Sequence, residues 1–343
     1  MIDMLRWLAM VRVSVVIPVF NNAATIGRAV TSVLAQRFDR EPESGGLDTS
    51  QFEVIAVNDG SSDASAEILR GFGDRIRAID QPNRGPAAAR NAGAAVAQGE
   101  YLAFLDADDA WLPHKLAATV PLLDCNPDVV LVFSDAIPID ANGAPVGESY
   151  VTADCAHAPS MAEMLDRWWP IIPSTAVMRA ATFKACGGFV EEFRSAAYED
   201  PFLFLVAREH GEFAYVPDRL VSYRYESPGV RMEKYERYRE VFIRRVTERY
   251  GDAARGLIRG TRRAYATALG YEGLVAMRAG DMPAARRHFA RAMREQPRDL
   301  KTAMRYLRTF LPLKFARALS GRTAGRAPDI SSTNDREPQT PSR

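Results

Sequence analysis

The sequence predicts an α/β fold in which a mostly parallel β-sheet is covered by helices and is followed by a small α-helical unit. Two patterns predict the sheet: apolar, β-branched runs alternate with helical stretches, and polar clusters follow the runs. From about residue 231 the patterning is helical throughout. Charge divides the chain at the same place, since residues 231–343 hold 26 Lys and Arg against 12 Asp and Glu, whereas residues 1–230 hold 18 against 31.

The elements follow from hydrophobic periodicity and from start and stop signals. The predicted strands are 12–20, 52–59, 76–80, 101–106, 128–140 and 174–179. The predicted helices are 24–38, 61–73, 85–99, 115–126 and 201–211. The second of these helices should begin at Ser61, Ser62 or Asp63 and end at Gly71 or Gly73, and the third has Pro86 near its first position. A Gly-, Pro- and Ser-rich insertion occupies residues 39–51.

Three regions are predicted along the chain. An α/β domain covers 12–228, a basic α-helical domain covers 231–318, and a tail at 319–343 is expected to be disordered because it has almost no large apolar residues. Within the helical domain, residues 265–297 resemble one tetratricopeptide-type hairpin, with Gly280-Asp281 in the turn. One such hairpin is too few for a free-standing solenoid, so we expect it to pack as a cap.

Composition excludes several classes of protein. The three cysteines, Cys125, Cys155 and Cys186, have no CxxC spacing, so neither a disulfide framework nor a zinc site is indicated. The apolar start is interrupted by charges and lacks a cleavage site, and no window is long enough to span a membrane. We expect a cytoplasmic protein that binds no nucleic acid.

The basic helical unit suits an anionic membrane surface or an acidic partner, although solvated helix faces are the plainer explanation. In residues 301–319, bulky apolar and basic side chains interleave. That pattern is the reason to expect a contact with the inner face of the cell membrane. Pro312 interrupts the helix and weakens the case.

Polar clusters follow three of the predicted strands: Asn21-Asn22, Asn58-Asp59-Gly60, and Asp106 with Asp108. In parallel sheets, ligands bind beyond the carboxyl ends of the strands, so these clusters should converge on one site. Asn, Asp and Gly are also common turn residues, so each cluster alone is weak evidence.

Asp106 and Asp108 are two residues apart, so in an extended segment they point the same way and can flank one cation. Mg²⁺ and Mn²⁺ prefer such oxygen ligands and are often shared with substrate phosphates. The chain has neither a GxxxxGK[ST] loop nor a strand-linked GxGxxG turn, so a metal, helped by Arg90 and Arg84, would carry the phosphate charge. Asp108 or Asp109 can alternatively cap the helix that starts near Pro113.

Four motifs in order resemble the inverting glycosyltransferases of family 2, which have the GT-A fold, a Rossmann-like mostly parallel sheet that binds nucleotide-diphospho-sugars. They are VSVVIPVFN, VIAVNDGSSDAS, NRGPAAARNAGAAVAQGEYLAFLDADD and YEDPFL, and the resemblance covers about residues 12–225. The resemblance implies that Asp59 binds the nucleotide base, with Asp108 as the more direct metal ligand and Asp106 beside it near the ribose and diphosphate. The implied donor-binding residues are Pro18, Val19, Phe20, Asn21, Asp59, Arg84, Arg90, Asp106, Ala107 and Asp108.

The same resemblance implies a general base at the pair Glu199-Asp200. An acceptor hydroxyl would attack the anomeric carbon of a UDP-sugar (or, alternatively, a dTDP-sugar), Asp200 would take the proton, and Mn²⁺ or Mg²⁺ would stabilise the departing diphosphate. A glycan, a glycolipid or a lipid-linked acceptor would receive the sugar with inverted configuration. Asp200 before Pro201 is equally a helix N-cap, and the two roles are compatible.

The acceptor side is less defined. Trp168 and Trp169 are of a type that stacks on sugar rings, but aromatic residues before a Pro-rich turn are also ordinary packing residues. Ser174 and Thr175 lie where family 2 enzymes build the acceptor side, so the resemblance implies a role for them.

Three rival functions remain open on the sequence. A haloacid-type phosphatase also has DxD after a strand, but usually after its first strand, and a nucleotidyltransferase would want a Gly- and Arg-rich loop after strand one. The third is a catalytically inactive GT-A-like protein that serves as a helical adaptor for an acidic partner or a membrane surface. All four carboxylates of the resemblance, Asp59, Asp106, Asp108 and Asp200, are present, which argues for an enzyme.

Overall fold

A computed structural model describes residues 11–37, 51–194, 198–225 and 228–310. The chain divides into two compact units. The first consists of Met1–Met164 and Trp169–Glu226, and the second of Leu165–Trp168 and Ser227–Arg343. The predicted insertion, except Gln51, and the predicted tail at 319–343 lie outside the described residues.

The first unit is built on an eight-stranded sheet with the strand order β3-β2-β1-β4-β7-β6-β8-β5. Its strands are β1 Val13–Val19, β2 Phe52–Asn58, β3 Arg77–Asp80, β4 Tyr101–Phe104, β5 Ala110–Trp111, β6 Val129–Ile139, β7 Ala176–Arg179 and β8 Glu212–Arg224. Strands β1 to β4 pair in parallel with one another, as do β6 and β8, while β7 runs antiparallel to both its neighbours and β5 is antiparallel to β8. The predicted mostly parallel α/β sheet is confirmed, with antiparallel strands added.

The helices of this unit are α1 Ile26–Leu34, α2 Ser65–Arg70, α3 Pro86–Val96, α4 Lys115–Cys125, α5 Met161–Asp166, which continues into the second unit, α6 Ala180–Ala185 and α7 Glu199–Ala207. Helix α2 begins at Ser65, two residues after the predicted cap candidate Asp63, and the Asp63 carboxylate accepts a hydrogen bond from the amide of this first helical residue. Helix α7 ends before Gly211, which instead precedes β8, a strand that sequence patterning missed.

Helices cover both faces of β1, which is buried along its whole length. Val13, Val15, Ile17 and Val19 pack into one core cluster with α1. On the other face α3 lies directly against the sheet, since a Cβ atom at Gly93 would lie 2.4 Å from Cγ1 of Val16. Arg90 lies one turn before Gly93 on the same helix face, so the close packing of α3 brings Arg90 to the sheet as well.

The second unit is helical. Its helices are α8 Pro228–Tyr250, α9 Arg255–Ala279, α10 Met282–Glu295 and α11 Leu300–Arg308. The turn between α9 and α10 is Gly280, with φ of +88°, followed by Asp281, whose side chain caps α10 through the Ala284 amide. Gly273 of α9 faces the Phe289 ring of α10, which would lie 2.7 Å from an added Cβ atom. Among the described helices, none is both long and apolar enough to cross a membrane.

Candidate active site

The carboxyl ends of β1, β2 and β4 meet at one edge of the sheet. Val19 of β1 pairs with Asn58 of β2, and Val16 pairs with Phe104 of β4. Backbone hydrogen bonds continue the register, from the Asp59 amide to the Val19 carbonyl and from the Leu105 amide to the Val16 carbonyl. The three polar clusters that follow these strands are therefore neighbours in space.

The loops after β1 and β2 are hydrogen-bonded to each other. The Asn21 amide donates to Ser61 Oγ at 3.0 Å, and Asn21 Oδ1 accepts from the Ser62 amide at 2.8 Å. Asn21 has φ of +54°, a left-handed conformation that Asn tolerates better than most residues. The Phe20 ring is exposed beside this loop, whereas Pro18 and Val19 are buried in the strand. Asn21 thus shapes the loop and Phe20 presents an aromatic surface.

Asp59 is buried, and both its carboxylate oxygens accept hydrogen bonds from the segment that follows β3. Oδ1 accepts from Gln81 Nε2 at 2.7 Å and from the Arg84 amide at 2.9 Å, and Oδ2 accepts from the Gly85 amide at 2.8 Å. Gly85 has φ of +92°, which favours glycine. Asp59 therefore fixes the path of residues 81–85. Gln81 is a site residue that the sequence reasoning missed, although it follows a predicted strand.

Asp106 to Asp109 form a turn, since the Asp109 amide donates to the Asp106 carbonyl at 3.0 Å. The expectation of an extended segment here was wrong, because β4 already ends at Phe104. The Asp106 side chain is 28% exposed, and Asp108 is half-buried. Ala107 between them is buried. The carboxylates of Asp106 and Asp108 therefore both reach solvent from the same turn.

Asp109 does not cap a helix. Helix α4 begins at Lys115 with no side-chain cap, and Asp109 is buried, accepting from Ser174 Oγ at 2.5 Å and from the Arg224 amide at 2.7 Å. Burial, followed by the charges of Asp106 and Asp108, raises the pKa of Asp109 well above its usual range. The capping prediction is wrong because tertiary partners from β8 and from the loop before β7 take this carboxylate.

Ser174 and Thr175 are both fully buried. Ser174 Oγ also accepts from the Asp106 amide at 3.0 Å, so it links the first and last aspartates of the turn. The Thr175 hydroxyl donates to the Ile172 carbonyl at 2.8 Å. The structure thus gives both residues internal hydrogen bonds, and Ser174 supports the carboxylate turn.

Arg90 lies beneath the turn and is only 1% exposed. Its Nη2 donates to Asp106 Oδ1 at 2.6 Å, and its Nη1 donates to Glu199 Oε1 at 3.2 Å and to Asp200 Oδ1 at 3.3 Å. One buried guanidinium therefore joins the DxD turn after β4 to the acidic pair at the start of α7. The sequence reasoning placed Arg90 near the donor's phosphates, whereas in the structure its contacts are with these protein carboxylates.

Burial opposes charge on the side chains of Arg90 and Asp200, whereas attraction between their opposite charges favours it. Burial would lower the pKa of Arg90, but the charges of Asp106, Asp200 and Glu199 outweigh it and raise that pKa. Burial, followed by the charge of Glu199, raises the pKa of Asp200 well above its usual range, while Arg90 acts in the opposite direction. Arg90 therefore stays charged, and its charge offsets part of the rise that burial causes in the pKa of Asp200.

The two acidic residues of α7 differ in access. The Glu199 side chain is 0% exposed, whereas that of Asp200 is 15% exposed. Only the second can meet a substrate hydroxyl without rearrangement. The N-cap prediction for Asp200 is wrong, because the helix already begins at Glu199 and its cap residue is Tyr198. Asp200 lies in the first turn, where a helix dipole favours negative charge.

The rim carries two further arginines. Arg84 is exposed and pairs with Glu191 at 2.5 Å. Arg28 of α1 donates through Nη2 to the Asp108 carbonyl at 2.7 Å. Arg28 was not predicted as a site residue. It lies 80 residues from Asp108 along the chain, and no local sequence pattern indicates a contact at that separation.

Trp168 and Trp169 make packing contacts. Trp168 belongs to the second unit, where its Nε1 donates to Thr261 Oγ1 at 3.0 Å and its ring stacks on Phe242 with centroids 5.4 Å apart. Trp169 is buried in the first unit with its ring edge-to-face against His157 at 5.0 Å. Of the two alternatives that the sequence left open, sugar stacking and ordinary packing, these contacts are those of packing residues.

The described residues contain no cluster of three or more His, Cys, Asp or Glu side chains that could enclose a metal ion. Asp106 and Asp108 are two partly exposed carboxylates from one turn, the kind of oxygen ligand that Mg²⁺ or Mn²⁺ takes together with substrate phosphates. The residues present fit such a shared ion. In this structure Oδ1 of Asp106 also accepts a hydrogen bond from Arg90.

Comparison with known proteins agrees with this geometry. A family model described as glycosyl transferase family 2 matches residues 14–186, half of the chain. An uncharacterized glycosyltransferase of Nostoc sp. is 38% identical over 142 residues, which are 40% of each protein. Glycosyltransferase GlyA of Streptococcus pneumoniae is 33% identical over 112 residues, 32% of this chain and 14% of the relative. The chain thus spans two fifths or less of the length of these relatives.

Solved structures share the fold. The crystal structure of S. aureus TarS matches with a TM-score of 0.55 at 18% identity, covering 90% of this chain and 53% of that one. The structure of TarS 1–349 in complex with UDP-GlcNAc matches with a TM-score of 0.50 at 19% identity, covering 87% and 90% of the two chains. The family match and the GT-A-like sheet with its strand-end carboxylates agree: this chain belongs to glycosyl transferase family 2.

Proposed function

We propose that this enzyme moves a sugar from a UDP-sugar to a hydroxyl group of a glycan, a glycolipid or a lipid-linked acceptor, with inversion at the anomeric carbon. The observation that carries the proposal is the guanidinium of Arg90, which binds Asp106 on one side and Asp200 on the other, at 3.3 Å or less. Direct displacement needs a proton acceptor held close to the group that binds the leaving diphosphate. These two carboxylates supply both parts.

UDP is the proposed nucleotide, with dTDP as the alternative. Support comes from S. aureus TarS 1–349, which shares the fold and has been solved with UDP and with UDP-GlcNAc. In this chain the exposed Phe20 ring and the fixed loop of Asn21 offer a surface for a flat base. Asp59 accepts three hydrogen bonds, and a carboxylate has about four lone-pair sites, so one base N–H can still be accepted. Arg84, which is exposed at the rim of the site, would bind the phosphates of the donor.

Asp106 and Asp108 are the proposed ligands of Mn²⁺ or Mg²⁺, shared with the diphosphate of the donor. When bound, the ion would stabilise the negative charge of the departing diphosphate as a Lewis acid. The Arg90 hydrogen bond holds the Asp106 carboxylate in place, and the Arg28 contact with the Asp108 carbonyl holds the turn. The chain itself thus orients two oxygen ligands before any donor arrives.

Asp200 is the proposed general base. It is the accessible member of the acidic pair, and its carboxylate would accept the proton of the attacking hydroxyl. Glu199 is buried against Arg90 and supports the base by holding that guanidinium. No covalent enzyme intermediate is required, because a single displacement gives the inverted product.

The proposed setting is the cytoplasmic face of a bacterial membrane, in the assembly of a surface polysaccharide or glycolipid. The relatives named above are bacterial, and Cys125, Cys155 and Cys186 form no disulfide, which suits a reducing compartment.

Calorimetric titration with UDP and dTDP, with and without Mn²⁺, tests the donor site. We expect metal-dependent UDP binding by the wild type that weakens at least about tenfold in Asp108→Ala, because the variant loses one of two carboxylate ligands. Asp74→Ala is the matched control, since Asp74 is exposed ahead of β3 at the opposite edge of the sheet. Equal binding by Asp108→Ala and the wild type would refute the proposed metal site. If neither UDP nor dTDP bound, the proposed class of donor would be refuted.

A further inference from the structure

The outer face of α11 exposes an apolar stripe. Leu300 is 78% exposed, Met304 56%, Leu307 65% and Phe310, just past the helix, 56%. Steps of four, three and three residues place these side chains on one side of a helix. Four of the eight exposed large hydrophobic residues in the described part of the chain therefore fall within eleven residues, whereas isolated exposed apolar residues are ordinary.

The opposite face of α11 is already used for folding. Thr302 and Thr309 are buried, and the Thr309 carbonyl accepts a hydrogen bond from Arg286 of α10 at 2.9 Å. Tyr306 packs against the core cluster that includes Met282 and Phe289. The helix is thus anchored to its unit by this side, with Phe310 also contacting Arg286 through its ring at 4.2 Å, so Leu300, Met304 and Leu307 are not the side chains that hold it in place.

The stripe is bordered by cations. Lys301, Arg305 and Arg308 lie between the apolar residues in the sequence, and no Asp or Glu occurs from Leu300 to Phe310. On a helical projection the three cations fall beside the stripe, on the flank of Leu300 and Met304. An apolar strip with a basic flank is the arrangement by which interfacial helices bind anionic lipid surfaces.

We propose that the outer face of α11, formed by Leu300, Met304, Leu307 and Phe310, docks on an anionic membrane surface. Charge favours a lipid surface over a second copy of the chain. A two-fold interface would bring this basic flank close to its own copy, with no acidic residue between Leu300 and Phe310 to neutralise it. A lipid headgroup layer supplies the missing anions. Docking is independent of glycosyl transfer, so its failure would leave the proposed reaction untouched.

Co-sedimentation of the full-length chain with vesicles tests the proposal. We expect binding to vesicles that contain phosphatidylglycerol, little binding to phosphatidylcholine alone, and a decrease as salt is raised. Leu307→Glu should weaken binding by about tenfold or more, because a carboxylate then faces the headgroups from the centre of the stripe. Val275→Glu, on α9 of the same unit and also at an exposed position, adds the same charge and should bind like the wild type.

Several outcomes would overturn the proposal. One is no binding of the wild type to phosphatidylglycerol vesicles, and another is equal loss in Leu307→Glu and Val275→Glu, which would point to overall charge alone. Self-association that Leu307→Glu abolishes, without vesicle binding, would identify a second copy as the occupant. Because Leu307 is exposed, the variant should melt at the temperature of the wild type, and thermal unfolding verifies that its fold is intact.

Discussion

Asp200→Asn should lower the turnover of sugar transfer by about 10²- to 10⁴-fold, the usual contribution of a general base. The amide has almost the shape of the carboxylate but cannot accept a proton from the attacking hydroxyl. UDP binding should change little, because Asp200 contacts Arg90 rather than the proposed nucleotide site. Turnover is measured as UDP release in the presence of acceptor, and UDP affinity by calorimetry.

Glu199→Gln is the comparison that assigns the base within the acidic pair. Glu199 is buried and reaches only protein groups, so its amide variant should keep much more activity than Asp200→Asn. If Glu199→Gln lost activity and Asp200→Asn kept it, with both proteins folded, the assignment would be reversed. If both variants turned over like the wild type, neither carboxylate would be the base.

The pH dependence has a definite direction. The base must be ionised, and burial raises the pKa of Asp200. The turnover rate should therefore be maximal above that pKa and should fall as the pH decreases through it. The acid limb of the rate profile should lie above the pH at which an ordinary, solvated Asp becomes protonated.

Arg90→Met should destabilise the first unit by about 3–5 kcal/mol, because it leaves three carboxylates around a buried site without their counter-charge. For a unit of this size, such a loss corresponds to a fall of roughly 10 °C in the melting temperature. Scanning calorimetry of the full chain resolves the transition. Activity should fall as well, since the same guanidinium orients Asp106 and Asp200.

Arg84→Met is the matched control for Arg90→Met. Arg84 is exposed and its ion pair with Glu191 is at the surface, so its removal should cost at most about 1 kcal/mol. Arg90→Lys should recover only part of the stability, because an ammonium cannot present the planar fork that binds carboxylates on two sides. A melting temperature of Arg90→Met equal to that of Arg84→Met would contradict the central position given to Arg90.

Arg90→Met also has a signature that a purely structural role would not produce. Arg90 lowers the pKa of Asp200, so its removal should raise that pKa further. The acid limb of the turnover profile should then move to higher pH in the fraction of protein that remains folded. An unchanged limb with reduced turnover would mean that Arg90 supports the fold without tuning the base.

The sequence predicted the part of the site that depends on strand ends. Apolar runs that finish in Asn58-Asp59 and in Asp106 mark the carboxyl ends of β2 and β4, and parallel pairing brings such ends together whatever the loops do. The resemblance to a known family then supplied the acidic pair at the start of α7, which no local rule links to Asp106. These predictions rest on periodicity and short motifs, which can be recognised in the sequence without knowledge of tertiary packing.

What the sequence could not predict depends on tertiary contacts. Asp109 looked like a helix cap, but Ser174 and Arg224, 65 and 115 residues away along the chain, bind its carboxylate. Arg90 was predicted beside the donor's phosphates, but its burial, which accompanies the close packing of α3 at Gly93, cannot be predicted from the sequence. Trp168 sits in a contact with Phe242 that a one-dimensional pattern does not contain.

The anomeric configuration of the product tests the central claim most directly. The chain is incubated with Mn²⁺ and α-configured UDP-sugars, with water and a panel of glycosides as acceptors, and early products are followed by proton NMR before mutarotation. A single displacement assisted by Asp200 predicts a β-configured product that Asp200→Asn forms about 10²- to 10⁴-fold more slowly. An α-configured product, or the same β product from Asp200→Asn at the wild-type rate, would contradict the account.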